Sequence, residues 1–536
     1  MRLTDQQQAV VDAQKNNILI SAAAGSGKTM VLVERISSRI ATGDLDIRNI
    51  LVMTFTKAAA SGMADRMEKA LIKKMDHAYD PNVKRRIAEQ LSFLPLAQIS
   101  TIHSFCTQVI REYGNEMRDS KGTLLLEPNS TVLDGAMAVI MLSDTVDEVL
   151  DRLFVLSHSV IKDASDRGKM PAAEDVFEEH STNKYIKQLD VCIRLDQWCE
   201  DFLNMCRCFG SASDDQYLKK LLIQVYHNLR SLPDYEARII QAVFDYKKEA
   251  EDFIHSERAQ DALDLLKNTV KKALPSAEQA QSMLDQVVFV KDNKKNAQYK
   301  NDMQSLLKMF FHLNDVVDED LNWDNIHLLG RDVPQTNWPR KVSEEYTVFL
   351  DHMIKVCEVL YMISGVTPQK KMKESFAETS QYFFFMSGAD YQRDLRQMVP
   401  LIFRFFEIIF LIDFQYARKK RLENSVDFSD QEQMALALLK KEEIAEYYRT
   451  HYDEIYIDEY QDNSKIQDAI VACFSNNNVF FVGDVKQSIY RFRHARPDMF
   501  MDRLSKYKKN IDGQLLELNG NFRSDNQFFF VMFYNQ

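Results

Sequence analysis

Two short segments of this 536-residue chain carry residue types suited to phosphate chemistry. Residues 21–29 read Ser-Ala-Ala-Ala-Gly-Ser-Gly-Lys-Thr, and residues 457–462 read Ile-Asp-Glu-Tyr-Gln-Asp. In the first, Gly25 and Gly27 let the main chain curl, so that N–H groups between Ala22, Ala23, Ala24 and Ser26 face phosphate oxygens. Lys28 then reaches the β- and γ-phosphates, and the Thr29 hydroxyl ligates Mg²⁺. Ala22 stands where a glycine usually leads this motif, which stiffens the loop. In the second segment Asp458 holds Mg²⁺ through water, and Glu459 orients or deprotonates the attacking water. A chance glycine-rich turn or a solvated acidic loop accounts for either segment alone. Together they outline a site for ATP and Mg²⁺, in halves more than 400 residues apart.

A third segment follows the apolar run Val479 to Val482: Gly-Asp-Val-Lys-Gln-Ser-Ile-Tyr-Arg-Phe-Arg, residues 483–493. Gln487, shortly after a strand, is placed to hydrogen-bond the γ-phosphate and report its loss. Tyr490 and Phe492 alternate with Arg491 and Arg493. Aromatics interleaved with cations suit base stacking plus phosphate contact on a single strand. The same composition also describes an amphipathic surface segment.

These residues need a sheet to bring them together. Strands are predicted at 17–21, 50–54 and 97–101, with helices at 29–41, 57–76 and 103–114. That alternation implies a parallel sheet with ligands at the carboxyl ends of its strands. After residue 425 it resumes: helix 428–441, strand 454–458, helix 463–474, strand 478–482, helix 496–508, strand 514–518. Between these halves the chain reads as amphipathic helices, as at Asp214 to Tyr226 and Val342 to Ile363. Asn322 to Pro339, with two Trp and two Pro, reads as a structured loop. The expected fold class is α/β: a P-loop NTPase domain with a parallel sheet, interrupted by a large all-helical insertion. Its expected divisions are 1–118, the insertion 119–425, a return at 426–520, and a further start at 521–536.

Composition excludes little. Hydrophobic content of 45% and charged content of 27% suit a soluble globular protein of two or more domains. A net charge of −12 argues against a broadly basic surface, though not against a narrow basic track. The seven scattered cysteines point to reduced thiols and a cytoplasmic setting. Cys192, Cys199 and Cys206 recur every seven residues, which favours packing along one helix face over a metal site. No signal peptide is expected, since the first apolar stretch reads as the strand before the phosphate loop, and Leu401 to Phe414 is too short and too charged to span a membrane, so no membrane association is expected. It reads as a buried helix, with Arg418 to Arg421 as its solvated end or a phosphate contact.

The ordered set of motifs resembles the superfamily 1A DNA helicases of the UvrD, Rep and PcrA type. Leu3 to Gln7 resembles the adenine-reading Q motif, with Gln7 as its glutamine; Thr54 to Ala59 resembles motif Ia and Ser100 to Cys106 motif Ib. Asp458 to Asp462 resembles motif II, Gly483 to Arg493 motif III, and Asn521 to Ser524 motif IV. Val426 to Asp430 resembles a further family element before motif II. The resemblance implies a RecA-like ATPase domain. It implies that Phe55, His103, Tyr490, Phe492 and Arg493 contact single-stranded DNA, and that Gln487 senses the γ-phosphate. Phe522 would stack near adenine, and Arg523 would act as an arginine finger. The AddA (RexA) branch of the AddAB (RexAB) helicase–nucleases is the nearest likeness. It implies an ATP-dependent 3′–5′ helicase acting on single-stranded DNA or duplex ends in break repair and recombination, with an AddB-like (RexB) partner. Motifs V and VI and a nuclease domain would lie beyond Gln536, so the chain reads as the N-terminal part of a longer motor. A nucleotide-gated DNA-binding or scaffold module with little turnover is the alternative.

Overall fold

The computed structural model describes residues 3–14, 16–23, 25–118, 122, 124–127, 129–162, 194–209, 216–289, 293–334, 347–365, 384–488 and 495–520. Its strands are β1 (Ile18–Ala22), β2 (Ile50–Thr54), β3 (Gln98–Thr101), β4 (Thr131–Val132), β5 (Ser425–Val426), β6 (Glu454–Ile457), β7 (Val479–Gly483) and β8 (Gln514–Leu518). The helices before the insertion are α1 (Asp5–Asp12), α2 (Lys28–Thr42), α3 (Lys57–His77), α4 (Pro81–Phe93) and α5 (Ile102–Tyr113). The insertion carries α6 (Gly135–Lys162), α7 (Leu195–Phe209), α8 (Gln216–Arg230), α9 (Tyr235–Glu251), α10 (Glu257–Met283), α11 (Asn293–Glu319), α12 (Trp323–Arg331), α13 (Thr347–Ser364) and α14 (Gly388–Leu422). After it come α15 (Phe428–Leu439), α16 (Glu442–His451), α17 (Lys465–Phe474) and α18 (Pro497–Tyr507).

Six strands pair in parallel in the order β3-β2-β6-β7-β1-β8. Strand alternation divides their side chains between two cores. Ile18, Ile20, Ile50, Val52, Tyr456, Phe480 and Val482 face the layer of α1 to α4. Leu19, Leu51, Met53, Ile455, Ile457, Val479 and Phe481 face the layer of α5 and α15 to α18. Each central strand is apolar on both sides, as a sheet covered by helices on both faces requires. Strands from before and after the insertion interleave, so neither half builds this sheet alone.

The insertion holds two large cores. One joins α6, α7 and α8 to the second half of α14, around Trp198 and Phe202. The other joins α10 to α13, around Trp323 and Phe310. Helices α9 and α14 pack against each other around a third, smaller core of Tyr235, Ile239, Val243, Phe403 and Phe410; α14 also enters both larger cores, and α9 enters the one around Trp323. Where the insertion leaves and rejoins the sheet domain, β4 and β5 pair in parallel, Thr131 with Ser425 and Val132 with Val426.

Three readings change. Trp323 to Arg331 is a helix, capped by the Asn322 Oδ1 accepting from the Asn325 N–H at 2.9 Å, where Trp and Pro content had suggested a loop. Trp338 and Pro339 lie outside the described residues. Lys420 is not a solvated helix end: it is buried and ion-paired with Asp427, at 3.0 Å, and with Asp430. The leading alanine lies in β1 rather than in the loop, as described below. Cys199 and Cys206 are buried on one face of α7, while Cys192 lies outside the described residues. Among the described residues no group of three or more His, Cys, Asp or Glu side chains is placed to hold a metal ion, and no helix is long and apolar enough to cross a membrane.

Candidate nucleotide site and adjoining cleft

Strand β1 continues to Ala22, which is buried and pairs with Leu518. The position of the usual leading glycine is therefore an extended one that alanine fills without strain, and it stiffens the strand end rather than the loop. The curl begins at Ala23, whose carbonyl accepts from the Ser26 N–H at 3.1 Å. Gly25 at φ +75° and Gly27 at φ +86° take the left-handed conformation that glycine supplies. No side chain caps the start of α2, so its first N–H groups and dipole open onto the loop. The Ser26 Oγ is buried and has no hydrogen-bond partner among the described residues. Uncapped N–H groups, an unpaired hydroxyl and Lys28 form a cradle of donors, which fits an anionic phosphate chain. Ala24 lies outside the described residues.

The Lys28 Nζ lies 3.0 Å from the Glu459 Oε2, joining residues 431 positions apart. Glu459 itself adopts φ +53°, an uncommon conformation for a residue with a side chain, at the exit of β6. Its neighbour Asp458 is held by its own N–H donating to the Met53 carbonyl at 2.9 Å. Burial and the adjacent Glu459 charge push the Asp458 carboxyl up to about 6, against the partial relief of Lys28. Two adjacent carboxylates facing a single lysine suit a divalent cation, with Thr29 at the start of α2 as the third donor.

This arrangement costs stability. The folded pKa of Asp458 is raised above its unfolded value of 3.8, so folded protein holds the proton more tightly. Stability is greatest below pH 4 for this group and falls as pH rises through about 6, by at most about 3 kcal/mol. Asp458→Asn should therefore raise the melting temperature in metal-free buffer at pH 8, and should abolish any stabilisation by Mg²⁺. Calorimetric melts with and without Mg²⁺ check this; an unchanged or lowered melting temperature would refute the cost.

Gln461 carries no role that its place in the sequence announces. It is buried in the turn after β6, and its Nε2 donates to the Glu459 Oε2 at 2.9 Å and the Asp462 Oδ2 at 3.3 Å. Its Oε1 accepts from the Asp484 N–H at 3.0 Å. The Asp484 Oδ2 in turn accepts from the Gln487 Nε2 at 2.7 Å. Gly483 makes room for this: a Cβ there would lie 2.2 Å from the Gln461 Oε1 and 3.2 Å from the Phe500 ring. The available signal was the glutamine inside the acidic segment, together with a glycine ending β7.

Gln7 is buried and closes a capping box on α1, its Oε1 accepting from the Thr4 N–H at 3.1 Å. Its Nε2 donates to the Ser26 carbonyl at 3.1 Å, so Gln7 ties α1 to the phosphate loop. Thr4, Gln7, Ser26, Leu518 and Gly520 line a recess of about 230 Å³ beside that loop. Phe522 and Arg523 lie outside the described residues.

A cleft of about 900 Å³ opens between the sheet domain and the insertion. Phe55, His103 and Asp458 line it from the sheet side, and Tyr226, Arg230 and Tyr416 from the insertion. His103 Nε2 lies 3.2 Å from the Glu432 Oε1, and its ring meets Phe428 edge-on at 4.8 Å. The structure thus brings Phe55 and His103 to one cleft that reaches Asp458. Tyr490, Phe492 and Arg493 lie outside the described residues.

Comparison with known proteins gives a consistent picture. A family model described as the UvrD/REP helicase N-terminal domain matches residues 3–328 and 404–508. The chain is 30% identical over 542 residues to the A subunit of the ATP-dependent helicase/nuclease of Thermoanaerobacter sp. (strain X514). It is 29% identical over 533 residues to the protein of the same name from Staphylococcus aureus (strain USA300). Each match covers 97% of this chain and 38% of the relative, so the chain spans well under half the length of these proteins.

Proposed function

The chain belongs to the UvrD/REP helicase family through its N-terminal domain, and from that premise we propose that it is the ATP-binding portion of a 3′–5′ DNA helicase of the AddA (RexA) helicase–nuclease kind. Its substrate is single-stranded DNA or a duplex end, in break processing and recombination. The naming of its relatives as one lettered component of a helicase/nuclease supports a second, AddB-like (RexB) partner, in the cytoplasm. The observation that carries the reading is the Lys28–Glu459 contact, which joins the phosphate loop to the acidic strand end across the interrupted sheet.

In this reading the loop from Ala23 to Gly27 and Lys28 bind the phosphates, while Thr29 and Asp458 would hold Mg²⁺, which supplies charge neutralisation on the phosphoryl oxygens. Glu459 orients water and takes its proton. Gln487 reads the γ-phosphate, Gln7 and Phe522 serve the adenine, and Arg523 adds positive charge. Phe55, His103, Tyr490, Phe492 and Arg493 contact the DNA strand.

Lys28→Ala tests the reading. Losing a charge-assisted phosphate contact costs about 1.5–3 kcal/mol, and Glu459, left without its cation, adds repulsion. Calorimetry should show MgATP affinity falling by about tenfold or more. Anisotropy with a labelled oligonucleotide should show single-strand affinity retained in the same preparation. Equal MgATP affinity in mutant and parent would refute the phosphate site. Absence of oligonucleotide binding in the parent would refute the DNA assignment. DNA-stimulated turnover separates a motor from a nucleotide-gated scaffold.

A further inference from the structure

The sequence holds one Asn-Gly pair, Asn519 and Gly520, directly after β8. Asparagine is thermolabile, and most so before glycine, whose main-chain nitrogen approaches the asparagine side-chain carbonyl with no Cβ in the way. Folding suppresses the reaction where it buries or engages that nitrogen. It does so after Asn424 and Asn463, each followed by serine: Ser425 is buried within β5, and the Ser464 N–H donates to the Gln467 Oε1 at 3.2 Å.

Asn519 is placed differently. It is exposed and lies outside any strand or helix. Among the described residues, neither its carboxamide nor the Gly520 N–H has a hydrogen-bond partner. The Asn519 N–H alone is held, donating to the Gln6 Oε1 at 3.1 Å. Both reacting groups are therefore free on an anchored residue. The position bears on the phosphate loop. The Leu518 carbonyl accepts from the Ala23 N–H at 3.0 Å, where the loop begins its curl. Gly520 lines the recess beside that loop, with Thr4, Gln7 and Ser26. A carboxylate at 519 would repel an anionic nucleotide bound there.

We propose that Asn519 and Gly520 form a self-modifying site, at which the Gly520 nitrogen displaces ammonia from the Asn519 side chain and the product weakens nucleotide binding at the adjoining loop. The second half of this proposal rests on the function proposed above. The chemistry balances with water as the one co-reactant. The Gly520 nitrogen bonds to the Asn519 Cγ and gives up its proton, and the Cγ–Nδ2 bond breaks, releasing ammonia and leaving a cyclic imide. Water then adds to one imide carbonyl, and that carbon's bond to nitrogen breaks. Opening at Cγ gives aspartate. Opening at the main-chain carbonyl gives isoaspartate, whose main chain is longer by a methylene. Nothing is oxidised or reduced, and either product carries a carboxylate.

The test incubates this chain in mildly alkaline buffer and samples it over days. Peptide mass spectrometry follows the replacement of the amide by an acid, and labelling by a protein-isoaspartate methyltransferase reports the isoaspartyl product. Conversion should centre on residue 519, and Asn519→Gln and Gly520→Ala should each suppress it. Calorimetry should show MgATP affinity falling by about threefold or more in the converted chain at low salt, and by less at high salt. Asn519→Asp, which adds the charge without lengthening the chain, should reproduce part of the loss. Asn519→Gln incubated alongside should keep its affinity, which separates this site from general ageing. An Asn519 that stays intact while an unfolded peptide of the same residues converts would overturn the proposal. So would full conversion with unchanged MgATP affinity. A fresh parent that binds no MgATP would sink the functional reading and the affinity half with it, while the masses decide the modification on their own.

Discussion

Glu459→Gln is expected to leave MgATP bound and to slow its hydrolysis by at least about 10²-fold, the loss that follows removal of a general base. The substitution keeps the shape of the side chain, and its amide oxygen can still accept from Lys28 and Gln461. What it removes is the capacity to take a proton from water. The backbone points the same way. Glu459 is held at φ +53°, and a strained residue persists only where its surroundings fix it. Here Lys28 and Gln461 do so by gripping one carboxylate oxygen. Binding by calorimetry and single-turnover hydrolysis in the hydrolytically competent protein separate the two effects. Parent-rate hydrolysis by the glutamine variant would remove Glu459 from the role of base. Loss of binding instead would make it a structural partner of Lys28.

The second large effect concerns a residue far from any phosphate. Arg35 is completely buried on α2. Its Nη1 donates to the carbonyls of Val10, Val11 and Ala13, at 3.0, 3.1 and 2.7 Å, which satisfies the free end of α1. Its Nη2 donates to the Glu454 Oε1 at 3.0 Å, and its guanidinium lies 4.0 Å over the Phe480 ring. Glu454 is itself buried and also accepts from Tyr456. Arg35→Leu leaves that carboxylate, among the described residues, with Arg39 alone as a cationic partner, at 3.4 Å, and orphans three carbonyls. Breaking a buried pair from one side costs about 3–5 kcal/mol. Denaturant unfolding should show a loss of that order in the sheet domain. The double variant Arg35→Leu with Glu454→Leu should recover part of it, because no lone buried charge remains. A single variant within about 1 kcal/mol of the parent would show that the pair contributes little. Since α1 carries Gln7, the same change should loosen the recess beside the phosphate loop.

The sheet was legible in the sequence because its central strands β1, β2, β6 and β7 are short, mostly apolar runs, and the edge strands β3 and β8 alternate with helices in the same rhythm. Periodicity found them to within a residue or so, as with Ile50–Thr54 and Gln514–Leu518. The phosphate loop and the acidic pair were legible because their chemistry demands particular residue types in a row. Arg35, Gln461 and Gly483 were not, since their partners lie elsewhere in the chain. Gly483 means little until the Gln461 amide is seen against it. Lys420 looked solvated because it sits in a run of four cations, yet the fold turns it onto Asp427 and Asp430. The helix Trp323–Arg331 was hidden by flanking Pro and Trp, although Asn322 is a good cap. The β4–β5 pair, two residues in each strand, carries too little pattern to be read from sequence.

That small pair also bears on how the chain comes together in time. During synthesis β1, β2 and β3 emerge long before β6 and β7, the strands that must slot between β2 and β1. Until then the early strands expose unpaired edges, which invite aggregation. A folded insertion sets Ser425 beside Thr131 and so shortens the loop left to close between β2 and β6 roughly fourfold. The saving in closure entropy is about 1.2 kcal/mol. The helical insertion is thus expected to act as an internal folding aid that brings the two halves of the nucleotide site together sooner. Pulse-labelled hydrogen exchange should find α6, α7 and α14 protected before β6, with the phosphate loop among the last segments to become ordered.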